Sequence, residues 1–189
     1  TSIRPRLMEL IQTEISNQRA GRYARIIAKM NQLEDPELVE LLCEASAAGV
    51  RVDLIVRGFC CLRPGVPGRT AGIRVRSVIG RFLEHSRVFY FANGHEELVQ
   101  GEFYIGSADW MYRNLSKRVE VVTPVHSKEA KEKLWEVLEI CLRDCRQAWL
   151  LHEDGTYSQL TPQPGAEGAA LHGTHVELMD LARRRFEAN

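Results

Sequence analysis

Apolar residues recur at helical spacing across residues 3 to 18, where Leu7, Leu10, Ile11 and Ile15 share one face, Pro5 fits a first turn and Ser2 stands at the N-cap. This periodicity predicts an amphipathic helix. Arg25 to Met30 is an apolar run of strand length. Asp35-Pro36 then opens a second helix with Leu38, Leu41, Leu42 and Ala45 inward, closed by Gly49, and Val50 to Val56 is the next strand. Strand, helix, strand in that order makes a right-handed crossover and a parallel pair, so the fold class is α/β.

The segment Cys61 to Thr70, C-L-R-P-G-V-P-G-R-T, carries two prolines and two glycines between Pro64 and Gly68 and cannot be regular. Ile73 to Val78, Val88 to Phe91, Phe103 to Ile105 and Val119 to Val122 read as further strands, with Asn93-Gly94 turning between the second and third of them. A long helix is expected from Lys128 to Trp149, burying Leu134, Leu138, Cys141 and Cys145. Gln159 to Gly173, rich in Pro, Gly and Ala, reads as a loop before a last helix with Leu178, Met179, Ala182 and Phe186. The expected organisation is one domain, its body in residues 1–158 and its closing loop and helix in 159–189.

The bulk numbers fit that organisation: 189 residues with 44% apolar and 26% charged suit a single compact domain. No stretch approaches the roughly 18 apolar residues of a membrane helix, and the amino end lacks a signal-peptide pattern. The expected setting is the cytoplasm, with peripheral attachment to the inner membrane left open. Thr1-Ser2 without a methionine, followed at once by a helical pattern, reads as a piece of something longer. The five cysteines are odd in number and Cys60-Cys61 are adjacent, which favours a reducing compartment.

Net charge is zero, yet residues 51 to 87 carry Arg51, Arg57, Arg63, Arg69, Arg74, Arg76, Arg81 and Arg87 against only Asp53 and Glu84. Guanidinium forks match phosphate oxygens with paired hydrogen bonds, so this band suits phosphate chains, nucleotides or nucleic acid. Nucleic acid ranks last, because the band lacks interleaved aromatics.

His85, in F-L-E-H-S-R-V-F-Y-F, precedes an apolar strand and stands two residues before Arg87. A histidine there can donate a proton beside a group that holds phosphate oxygens; on this local pattern a catalytic and a structural histidine are equally compatible. Gly106-Ser107-Ala108-Asp109 follows a strand, where N–H groups and a hydroxyl could hold an oxyanion. Arg57 ends a strand just before Gly58, which lets a ligand approach the backbone; its structural alternative is a salt bridge to Asp53 or Glu84. Lys29 lies near the end of the first strand, where parallel sheets place ligands. Arg63 flanks the Pro-Gly loop and could touch a phosphate chain, although a loop arginine is usually solvated. Arg118 alternates with apolar residues on a strand, which a solvated side chain explains nearly as well. His95, His126, His152, His172 and His175 read as surface histidines, and the three tryptophans as core or interface anchors.

The spacing of His85-x-Arg87 and Gly106-Ser107-x-Asp109 resembles the phospholipase D superfamily signature, with arginine in place of lysine and aspartate in place of asparagine. A closer resemblance is carried by Ile26 to Asn31, Arg57-Gly58, Cys61 to Gly68, Arg81 to Arg87, Ser107 to Met111 and Arg118 to Val121. Together they resemble the final, phospholipase D-like domain of the bacterial polyphosphate kinases, from about residue 3 to 160. The resemblance implies an α/β domain with a mixed sheet flanked by helices. It implies reversible transfer of the terminal phosphate of ATP to inorganic polyphosphate through a phosphohistidine, with Mg2+ assisting. In that family two such domains face one another and the phosphorylated histidine belongs to the first, which places it upstream of this chain, with most Mg2+ ligands and the aromatic residue near the base. Arg57 and His85 then match ATP contacts and Arg118 a basic residue near the nucleotide phosphates. His85 would act as acid or hydrogen-bond donor. Expected partners are ATP or ADP, polyphosphate, the upstream domains and further copies of the complete enzyme. Two other readings stay open: a phospholipase D-like phosphodiesterase or nuclease with His85 as nucleophile, and an inert nucleotide- or polyphosphate-binding module.

Overall fold

A computed structural model describes residues 2–187. In chain order the elements are α1 (Ile3–Arg19), β1 (Arg25–Met30), α2 (Pro36–Ala47), β2 (Arg51–Val56), β3 (Ile73–Val78), β4 (Val88–Phe91), β5 (Glu102–Gly106), α3 (Tyr112–Ser116), β6 (Val122–Val125), α4 (Lys128–Arg143), β7 (Ala148–Leu151), β8 (Tyr157–Gln159), α5 (Ala169–His172) and α6 (Thr174–Glu187). The strands form one sheet in the order β6-β5-β4-β1-β2-β3-β7-β8. β1, β2 and β3 are parallel, and every other neighbouring pair is antiparallel. The α/β mixed sheet expected from the resemblance is what the chain forms.

Alternation along the central strands divides the core in two. Ile26, Ala28, Met30, Val52, Leu54 and Val56 face α1 and α2, meeting Leu7, Leu10, Ile11 and Ile15 of the first helix and Leu38, Leu41 and Leu42 of the second. Ile27, Ile55 and Val78 face the other way, against Leu138 and Cys141 of α4. Strands covered on both faces need apolar residues at consecutive positions, which is why β1 and β2 read as unbroken runs. Each large aliphatic side chain so buried contributes about 1.5–3 kcal/mol. The second helix starts as its sequence predicts: Pro36 fills the first turn and the Asp35 carboxylate accepts the Leu38 N–H at 3.2 Å.

Three expectations are corrected. The helix predicted to reach Trp149 stops at Arg143, where Asp144 turns to an extended conformation and Arg76 of β3 donates to the carbonyls of Cys141 and Asp144 at 3.3 and 3.4 Å. Cys145 therefore lies beyond the helix, and Trp149 belongs to β7, which with β8 extends the sheet past β3. The strand expected at Val119 to Val122 is displaced to Val122–Val125, leaving Val119 wholly exposed. Asn93-Gly94 begins a longer connection that includes a 3₁₀ turn at Leu98–Gln100, so it is not a tight hairpin. The last helix is buried only at its start, at Thr174 and His175.

The buried polar residue Glu14 ties α1 to the sheet. One carboxylate oxygen accepts the Arg25 N–H at 3.0 Å and the other the Asn93 N–H at 2.5 Å, where Asn93 takes φ 51°. Burial pushes the carboxyl up to about 7, and the two backbone N–H groups only partly offset it. A carboxyl raised in the folded state contributes its stability below its ordinary value near 4.5 and loses it as pH rises through about 7. In equilibrium urea denaturation, wild type should therefore lose about 2 kcal/mol relative to Glu14→Gln between pH 5 and pH 8. A difference between the two proteins that is flat across that range contradicts this account.

Candidate active site

Parallel β1 and β2 end, and antiparallel β4 begins, along one rim of the sheet. Register pairs Lys29 with Ile55 across β1 and β2, Lys29 with Val88 across β1 and β4, and Val88 with Ile105 across β4 and β5. The rim thus gathers the end of β1, Arg57 after β2, residues 79–87 leading into β4, and the Gly106-Ser107-Ala108-Asp109 turn after β5.

Arg57 and His85 are neighbours there. Arg57 Nη1 lies 3.5 Å from His85 Nδ1, at the outer limit of a hydrogen bond, and donates to the Glu84 carbonyl at 3.2 Å. The Arg57 carbonyl accepts the Ser77 hydroxyl at 2.6 Å, fixing the chain as it leaves β2. Neither salt bridge weighed for Arg57 forms. Asp53 takes Arg25 and Arg51 at 2.8 and 3.1 Å, and Glu84 takes Lys29 at 2.9 Å. Among the described residues, Arg57 has no carboxylate within ion-pair distance. His85 is exposed and its carbonyl accepts from Arg87 Nη1 at 2.9 Å, so a side chain two residues on holds the backbone that carries the ring.

Lys29 is on the rim but only 2% exposed, its ammonium bound to the Glu84 carboxylate and, at 3.3 Å, to the Ser86 carbonyl. Burial opposes ionisation of Glu84, yet the Lys29 ammonium and the Ser86 hydroxyl and N–H outweigh it and hold this carboxyl down at about 2. At neutral pH the pair is ionic and fastens the residues flanking His85 to β1.

The two residues that depart from the phospholipase D signature meet each other. Arg87 Nε and Nη2 donate to the two Asp109 oxygens at 3.2 Å each. The same carboxylate accepts the Asn31 N–H at 2.7 Å and the Asn31 side-chain amide at 3.2 Å. A planar guanidinium needs a two-oxygen partner, so arginine and aspartate at these positions form one bidentate unit.

Ser107 does not present an oxyanion hole. Its N–H donates to the Val121 carbonyl at 2.9 Å, and its hydroxyl bonds the Glu120 carboxylate, which also accepts from Asn114. The Ser107 hydroxyl, then Asn114, Arg118 and Arg87, hold the Glu120 carboxyl below its usual range. Arg118 lies in the connection after α3, exposed and close enough to act on Glu120, and not on a strand. Arg63 is exposed in the β2–β3 crossover and lines cavities of about 330 and 310 Å³, one with Leu151 and Tyr157 and the other with Val39 and Arg69. No hydrogen bond or ion pair joins it to the His85 site among the described residues. Among the described residues, no three His, Cys, Asp or Glu side chains converge as metal ligands.

The arginine band of the sequence divides in space. Arg51 pairs with Asp53, Arg69 with Glu40 at 2.6 Å, Arg76 caps α4, and Arg87 binds Asp109, so only part of the band reaches the rim. Glu84, Asp109, Asn31 and Glu120 complete the site. Asp109 was visible in the sequence as a motif departure, but nothing in linear spacing paired it with Arg87 or Lys29 with Glu84.

Residues 1–170 match the family model described as polyphosphate kinase C-terminal domain 2. The chain belongs to that family. The polyphosphate kinase of Thermosynechococcus vestitus is 54% identical over 178 residues, covering 94% of this chain and 23% of that protein. The crystal structure of the polyphosphate kinase from Porphyromonas gingivalis superposes with a TM-score of 0.86 at 34% identity, over 96% of this chain and 27% of that one. This polyphosphate kinase domain thus spans about a quarter of the length of the relatives it matches. Nuc from Salmonella typhimurium, a phospholipase D family member, aligns at 16% identity with a TM-score of 0.50 over 74% of this chain and 88% of its own, which shows the shared fold.

Removing one partner of a buried, hydrogen-bonded ion pair leaves the other charge without compensation, at a cost of about 3 kcal/mol. Asp109→Ala and Arg87→Ala should each destabilise this polyphosphate kinase domain by that amount in thermal or urea denaturation. The double variant should lose clearly less than the two losses added. Strictly additive losses would show that the two side chains do not act as a pair.

Proposed function

We propose that this domain forms one wall of the active site of a longer polyphosphate kinase, which reversibly transfers the terminal phosphate of ATP to inorganic polyphosphate. The observation that carries the reading is the 3.5 Å approach of Arg57 to an exposed His85 on a rim where the neighbouring carboxylates are engaged by other cations. Phosphoryl transfer asks for alignment and for neutralisation of spreading negative charge. Arg57 supplies fixed positive charge for the nucleotide phosphates. His85 supplies an imidazole N–H, as acid or hydrogen-bond donor, to the transferring phosphate, opposite a phosphohistidine on the upstream domain. Arg118 extends the basic surface beyond Glu120. Lys29, buried against Glu84, shapes the loop and does not face the ligand, and Arg63 is the weakest of the proposed polyphosphate contacts.

An upstream domain facing this rim accounts for the apolar residues around it: Leu83 is 75% exposed and Val119 fully so, with Phe59, Ile79, Phe82 and Val121 also open. Mg2+ acts in this reading with ligands from upstream residues and from ATP, and ADP is the substrate in reverse. No helix among the described residues is long and apolar enough to cross a membrane. The proposed setting is the cytoplasm, and the proposed assembly is a homo-oligomer of the complete enzyme.

In the complete enzyme, Arg57→Ala and His85→Ala should each lower kcat for polyphosphate synthesis by about 10²-fold, the usual effect of removing one group aimed at developing charge. Thermal melting should remain near wild type, because both side chains are at the surface. Unchanged synthesis in both variants refutes the assigned roles. Phosphodiester hydrolysis by the enzyme without binding of ATP would favour the phosphodiesterase reading.

A further inference from the structure

The loop that carries His85 is fastened at its far end by a residue outside the matched family region. Residues 79–87 join β3 to β4, and much of the segment faces solvent. At its start the Ile79 N–H donates to the Gln147 carbonyl at 3.1 Å, and the Phe82 N–H donates to His175 Nδ1 at 3.3 Å. The two rings meet edge to face, with centroids 5.5 Å apart. Gly80 passes so close that a Cβ there would lie 2.6 Å from His175 Nδ1 and 2.2 Å from Gln147 Nε2.

His175 is itself rigidly held. It is 3% exposed, unlike the surface histidine its sequence context predicts, and its N–H donates to Gln147 Oε1 at 3.1 Å. Next to it, the Thr174 N–H and hydroxyl both donate to Asp144 Oδ2, at 2.7 and 2.6 Å. The other Asp144 oxygen accepts the Arg146 and Gln147 N–H groups at 2.7 Å each. A buried carboxylate thereby fixes the first turn of α6 to the turn between α4 and β7.

An N–H pointing at Nδ1 requires that nitrogen to be unprotonated, which puts the ring proton on Nε2, and Nε2 is buried without a partner. An apolar side chain would fill the space without that unpaired group. What the histidine adds is an acceptor for Phe82, three residues before His85.

We infer that His175 is a positioning residue for His85: its Nδ1 anchors the amide of Phe82 and so sets the course of the loop over the rim. The inference rests on the reading of His85 given above. His175 lies beyond residues 1–170 that the family model matches, so this clamp is a contribution of the C-terminal helix to the site.

The test uses the complete enzyme with His175→Asn, His175→Leu, Gly80→Ala and His85→Ala, followed by kcat and KM for ATP, thermal melting, and amide hydrogen exchange of the peptide containing Phe82. The Asn Oδ1 can accept where Nδ1 did, whereas Leu fills the space without an acceptor. His175→Leu should accelerate exchange at Phe82 and lower kcat about tenfold with KM for ATP little changed, while His175→Asn stays within about threefold of wild type. Gly80→Ala, whose Cβ meets both His175 Nδ1 and the Gln147 amide, wedges the loop away from the ring without removing the histidine and should reproduce the kcat loss even where His175→Leu does not fold. Wild-type kcat in Gly80→Ala, or equal losses in the Asn and Leu variants, overturns the inference. Unchanged turnover in His85→Ala refutes instead the reading on which it rests, and the exchange measurement still reports whether His175 holds the loop.

Discussion

The arrangement of the rim depends on the Asp109 carboxylate, which lies where the end of β1, the start of β4 and the turn after β5 converge. It accepts the Asn31 N–H from the first, both forks of Arg87 from the second, and comes itself from the third. With antiparallel β4 beside β1, the end of one strand and the start of the other lie side by side at this rim. A buried carboxylate with two oxygens can serve three chain segments at once. Its desolvation is tolerable because the guanidinium, the Asn31 N–H and the Asn31 side-chain amide surround it.

From that node the electrostatics of the site follow. Arg87, bound to Asp109, holds the carbonyl of His85, and Lys29, bound to Glu84, holds the residues on either side of it. The Glu84 and Asp109 carboxylates are thus matched by cations within the fold, while Glu120 is held by the Ser107 hydroxyl and the Asn114 amide. Arg57 donates to a carbonyl and lies near an imidazole, with no carboxylate at ion-pair distance among the described residues. Overall neutrality conceals this. The chain has 25 basic and 25 acidic residues, but the field a ligand meets is set by which pairs are closed and which are open.

The parts of this architecture that were legible in the sequence are those governed by local periodicity. β1, β3 and β4 fall where the apolar runs placed them, and Asp35-Pro36 marks the start of α2. What failed depended on distant partners. The sequence from Lys128 to Trp149 is continuously helical in pattern, and it is interrupted because Arg76, far away in the chain, caps the carbonyls at its end while β3 offers an edge for Ala148–Leu151. The strand expected from Val119 shifts because Glu120 and Val121 turn back to bond Ser107. For the site, a motif with a histidine and two arginines indicated the class of chemistry and the two residues that would be neighbours. It could not indicate that Lys29 is buried or that His175 is enclosed, since both are decided by contacts between segments remote in sequence.

The way the loop is held bears on why so much of the fold converges on one exposed imidazole. Residues 79–87 are braced through Gln147 and His175 near their start and through Arg57 and Lys29 near their end, so ties from four different parts of the chain act on a short surface segment. A loop designed only to connect β3 with β4 would need none of them, because the strands are already fixed by their ladders. In phosphoryl transfer, by contrast, the contribution of a donor falls steeply when it is misaligned by an ångström, and in a two-domain site one partner must be rigid for the other to align against it. If His85 acts as proposed, the density of ties around it, and their reach from β1 to the final helix, is what that requirement imposes on a side chain that stays exposed.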